Sequence, residues 1–159
     1  MNNLKKQRGF SLIELLIVVG ILVLLAIISV IALNDQQAKA RDAKRISDVR
    51  QIRTALEFYS SDEAEYPIRP NPVVLGNDGQ EKLCSKAEGG FVAASVECKS
   101  ESTYMNKIPI DPSSDRKYIF TSDGKGYNIA FTTEKLSSLG QAGTYYAHSQ
   151  AIDGAPGNR

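Results

Sequence analysis

The chain has 159 residues, 42% hydrophobic and 23% charged, with a formal net charge of +1. These are the proportions of one modest globular domain, and they exclude a disordered or fibrous chain. The near-neutral balance excludes bulk attraction to nucleic acid but leaves a local basic patch free to bind it.

Residues 1–9 read as a basic leader, with Lys5, Lys6 and Arg8 and no acid. Taking these three from the 19 basic residues leaves 16 against 18 acids in the remainder. From Leu12 to Leu33 the sequence runs LIELLIVVGILVLLAIISVIAL, and its only charge is Glu14. About 22 helical residues suffice to cross a hydrocarbon core of about 30 Å. A secretory signal is the rival reading, because Ala38-Lys39-Ala40 is an A-x-A pattern downstream of the apolar run. Release after Ala40 would yield a secreted binding domain or small enzyme beginning at Arg41. The apolar part of a signal, however, usually extends only about 7–15 residues. Glu14 also argues against a disposable segment, since an acid in an apolar helix costs on the order of 3 kcal/mol near the bilayer centre and demands a partner or a shallow position.

The stretch Lys5-Lys6-Gln7-Arg8-Gly9-Phe10-Ser11-Leu12-Ile13-Glu14-Leu15 resembles the class III leader of type IV pilins and of the pseudopilins of type II secretion. The resemblance implies a cut by prepilin peptidase between Gly9 and Phe10, with methylation of the new Phe10 amine. Segment 10–33 then stays attached as both membrane anchor and filament core. Glu14 takes the position whose carboxylate pairs with the amino terminus of a neighbouring subunit, an arrangement that fixes register between helices in a low-dielectric surround. The implied partners are further copies in a homo-oligomeric helical filament, the assembly platform and minor pilins. The carboxy-terminal domain would stand outside the cytoplasmic membrane and then in an extracellular or periplasmic filament. Two features depart from the pattern. Many members carry a proline where this chain has Ile31, and the flank from Lys39 to Arg53 holds six basic residues against the leader's three, contrary to the positive-inside bias.

From Asn34 the pattern turns amphipathic, with Ile46, Val49, Ile52, Leu56 and Tyr59 at helical spacing. No glycine or proline lies between Ile21 and Tyr66, so one helix is expected from about Ser11 to Ser60, roughly 75 Å long at 1.5 Å per residue. Its second half is segment 34–60. The order of residues from Ala40 to Val49, and on through Leu56 and Tyr59 to Tyr66-Pro67, also resembles pseudopilins. Lys39, Arg41, Lys44, Arg45, Arg50 and Arg53 are read either as contacts for DNA phosphates, as in DNA-uptake pilins, or as a solvated face pairing with Asp42, Asp48 and neighbouring subunits. The second reading is preferred.

The exported domain, 61–159, opens with Pro67, Pro70 and Pro72, which end the helical regime. Segment 67–107 reads as a surface loop with short strands, one of them at Phe91–Val96. Cys84 and Cys98 lie in it, and a lone cysteine pair in an exported domain reads as one disulfide; two free thiols or half a metal site are the alternatives. A small antiparallel sheet is expected over about 116–150, from Tyr118–Thr121, Tyr127–Thr132 and Thr144–Ala147, with a hairpin turn at Asp123-Gly124-Lys125-Gly126. The Ile46–Tyr59 stripe supplies the cover for its apolar face, giving an α+β fold. One histidine, His148, with no nucleophile motif, phosphate loop or metal-ligand spacing gives no basis for an active site, so a non-catalytic chain without cofactor is expected. Asp111, Asp115, Asp123 and Asp153 are candidate calcium ligands, although acids in turns more often form the turn. A pilus-like filament subunit is the preferred function, and a secretion pseudopilin is next.

Overall fold

A computed structural model describes residues 10–77 and 79–154; the leader expected over 1–9, with Gly9, lies outside the described residues. Helix α1 spans Leu12–Glu63. It ends where Ala64 adopts a left-handed conformation (φ 62°), a place where glycine is the usual residue because a Cβ is penalised there. The chain divides into two compact units, one up to Gln37 and one from Ala38 onward.

The second unit is built on β1 (Arg69–Val74), β2 (Lys82–Cys84), β3 (Phe91–Val92), β4 (Thr103–Met105), β5 (Ile119–Ser122), β6 (Tyr127–Thr132), β7 (Thr144–Ala147) and β8 (Ile152–Asp153). Five strands form an antiparallel sheet in the order β1-β5-β6-β7-β8, and three form a smaller one in the order β3-β2-β4. The register sets Phe120 opposite Ile129, then Ile129 opposite Ala147 and Phe131 opposite Tyr145. Phe120, Ile129, Phe131 and Ala147 are buried, in one cluster with Ile46, Val49, Ile52, Ala55, Leu56 and Tyr59 of α1. The amphipathic stripe therefore covers the sheet, as the α+β reading requires.

The sequence expectation differs from the structure in three of the strands. The strand expected over Phe91–Val96 is only Phe91–Val92; β1, in the segment read as a surface loop with short strands, joins the larger sheet; and β8 extends that sheet past residue 150. Pro70 and Pro72 sit in β1, at the edge of the larger sheet, where a residue without an N–H is tolerated. The β1–β5 register is irregular between Arg69 and Val73, across these prolines. The disulfide joins Cys84, at the end of β2, to Cys98 with Cα atoms 6.1 Å apart.

Candidate assembly site

Phe10 is 81% exposed, and every large apolar side chain from Leu12 to Ile28 is exposed with it. An 18-residue window of this stretch has a mean hydropathy of 3.4 and no buried part. Apolar surface this continuous is stable only under lipid or other protein. At the head of α1 the carbonyl of Ser11 accepts the N–H groups of Glu14 and Leu15 at 3.1 and 3.2 Å. Glu14 stands in the first helical turn, where unpaired backbone N–H groups favour a carboxylate. It is the one acid in an otherwise apolar, exposed segment.

The basic stretch of α1 is not the uniform solvated face expected from sequence. Arg45 is fully buried, as are Asp42 and Asp111. The Arg45 guanidinium donates from Nε and Nη2 to the two oxygens of Asp111 at 2.8 and 2.9 Å, and from Nη1 to Asp42 and Glu134 at 2.7 Å each. Nη2 also reaches the Ser113 hydroxyl at 2.8 Å. Burial by itself would depress the guanidinium, but its hydrogen bonds to Asp111, Glu134 and Asp42 outweigh that and raise it. Arg41 donates Nε to Glu134 at 2.8 Å. The hydrogen bond from Arg41, opposed by partial burial and reinforced by Arg45, draws the Glu134 carboxyl down to about 2. Asp42 also accepts the backbone N–H groups of Glu134 and Lys135 at 2.8–2.9 Å. Two of the six basic residues are thus bound to carboxylates inside this node, and Lys44 is paired with Asp48 at 2.9 Å. The node joins α1 to the loops before β5 and after β6, and the sequence reading missed it.

The four candidate calcium ligands do not come together. Among the described residues the only cluster of metal-ligand type is Cys84, Glu88 and Cys98, and both of its sulfurs are in the disulfide. Asp111 is bound to Arg45. Asp115 is exposed and lies 4.0 Å from Arg116. Asp123 accepts the N–H groups of Lys125 and Gly126 at 3.0 and 3.1 Å, which lower its carboxyl. It shapes the hairpin turn, in which Gly124 needs its positive φ of 94°. Asp153 lies 3.2 Å from the His148 ring, half-buried just beyond β7.

The family model described as the prokaryotic N-terminal methylation motif matches residues 4–33. Such a motif leading into an apolar helix, with an amphipathic continuation covering an antiparallel sheet, defines a pilin-like protein. The type II secretion system core protein G of Vibrio cholerae is 31% identical over 144 residues, covering 90% of this chain and 88% of that protein. Its counterpart in Escherichia coli is 32% identical over 107 residues, covering 67% of each chain. The type IV major fimbrial protein FimA of Dichelobacter nodosus is 35% identical over 107 residues, covering 62% of this chain and 66% of that protein. No solved structure gives a significant match. The chain belongs to the family of type IV pilins and type II secretion pseudopilins, whose members are structural subunits.

Proposed function

We propose that the chain is cut between Gly9 and Phe10 by prepilin peptidase and methylated at Phe10. It then enters a helical filament through segment 10–33, with the Glu14 carboxylate pairing with the Phe10 amine of the next copy. The observation that carries this is Glu14 itself, a single acid in the first turn of an apolar helix whose side chains are all exposed from Leu12 to Ile28. In a membrane the helix anchors the chain with its second unit outside the cytoplasm; in a filament the same surface is covered by other copies. The role is structural rather than catalytic, which agrees with a family of structural subunits.

Between the two filament types, the secretion pseudopilus is favoured by coverage. The match to core protein G of Vibrio cholerae covers 90% of this chain, whereas the match to FimA covers 62%. Release after Ala40 is disfavoured because Ala40 lies within the unbroken run of α1. A DNA-binding role is disfavoured because Arg45 is buried and Arg41 and Lys44 are paired. The test is Glu14→Ala in a strain supplying the assembly machinery. The variant should be processed and inserted in the membrane yet absent from sheared filaments. Wild-type filament yield from it would remove the pairing role.

A further inference from the structure

The exposed face of α1 within the second unit is divided by charge. Between Lys39 and Arg53 it holds Lys39, Arg41, Lys44, Arg50 and Arg53 and no acid, and from Glu57 to Glu63 three acids and no base. Three residues stand out on it. Arg50 is exposed, and its guanidinium has no partner among the described residues. Phe58 is 63% exposed, a large aromatic on a surface whose other exposed residues are small, polar or charged, among them Ser47, Gln51, Thr54, Glu57 and Ser61. Asp62 is exposed one turn beyond Phe58, near enough to the Tyr104 hydroxyl to help raise it. A carboxylate has about four acceptor positions, so this leaves it able to take a guanidinium as well.

At 3.6 residues per turn, Phe58 and Asp62 lie one above the other, and Arg50 lies about 80° round from Phe58 and about 120° round from Asp62. Arg50 is also about 12 Å along the axis from Phe58, too far to stack on the ring of its own chain. An exposed aromatic with a carboxylate one turn away is a receptor for a guanidinium, which stacks on the ring and donates to the acid. The one chain thus carries the cation and its receptor on adjoining flanks, displaced along the axis beyond each other's reach. A second copy displaced along the axis brings its cation to this receptor and leaves its own receptor open to a third, the head-to-tail arrangement that propagates as an open helical array.

We infer that Arg50 of one copy docks on Phe58 and Asp62 of the next copy, a second subunit–subunit contact separate from the Glu14 pair. The occupant is another copy of this chain, because the basic stretch of α1 is complementary in charge to the acidic end of the same helix. The inference rests on the filament reading above, and its test separates the two. Filaments are sheared from cells expressing wild type, Arg50→Glu, Asp62→Arg, the double reversal, and Phe58→Ala, and subunit per cell is quantified. Thermal unfolding of each purified chain in detergent confirms that these surface changes leave the fold intact.

Each single reversal should lower filament yield by about tenfold or more, as like charges then face each other, and the double reversal should recover it to within about threefold. Phe58→Ala should lower yield with the charges intact. If wild type assembles but the reversals have no effect, or the double reversal fails to recover yield, the contact between copies is overturned while the filament reading stands. If wild type does not assemble at all, both fail.

Discussion

Replacing Arg45 with methionine removes a guanidinium whose side chain is fully buried and which makes five hydrogen bonds to Asp42, Asp111, Glu134 and Ser113. Methionine fills much of the volume, so the loss is mainly that of charge. Asp111 and Asp42 stay buried with the cation gone, although Asp42 keeps its bonds to the N–H groups of Glu134 and Lys135. Breaking a buried ion pair from one side costs about 3–5 kcal/mol, and three carboxylates around one arginine place this substitution at the upper end. For a domain of this size that is a fall in Tm of roughly 10–20 °C. The assay is urea and thermal unfolding of the full chain in detergent, followed by near-UV circular dichroism. Arg45→Met/Asp111→Leu should recover part of the loss, since an apolar replacement of both partners leaves one buried carboxylate fewer. A loss under about 1 kcal/mol for Arg45→Met would refute the claim that the node fastens α1 to the β-loops, because burial of unpaired charge cannot be that cheap.

Glu134 gives a pH dependence of known sign. Its folded carboxyl lies near 2, below its ordinary 4.5, so its stabilisation is complete above about pH 4.5 and is lost as pH falls toward 2. Glu134→Gln should flatten that part of the stability–pH curve, and an unchanged curve would show that the Arg41–Glu134 pair is idle. At the end of α1, Ala64 has φ 62°, and Ala64→Gly should raise stability by up to about 1 kcal/mol in denaturant titration, since only glycine meets no Cβ penalty there. A lowered midpoint would contradict the helix-stop reading.

The helix and the hairpin were legible because their signals are local. The Ile46, Val49, Ile52, Leu56 and Tyr59 stripe is buried as its spacing requires, and Asp123-Gly124 closes β5 to β6 through hydrogen bonds two and three residues on. Strand β1 was not legible, because Pro70 and Pro72 carry the same signal in a loop and in an edge strand, and only the neighbouring β5 tells them apart. Strand β8 spans only Ile152–Asp153, too short for any period to show. The Arg45 node was hidden because its main partners, Asp111 and Glu134, are 66 and 89 residues away. One signal was present: Arg45 precedes Val49, Ile52 and Leu56 at the spacings i+4, i+7 and i+11, and so lies on the face that is buried. A charge in register with a core stripe calls for buried partners.

The central claim is that the apolar helix stays on the chain and builds the filament, and the intact mass of the mature protein tests it most directly. The mature chain should begin at Phe10 and carry one added methyl group. A mass corresponding to a start at Arg41 would contradict it, because that chain would have lost Glu14 and the entire apolar segment.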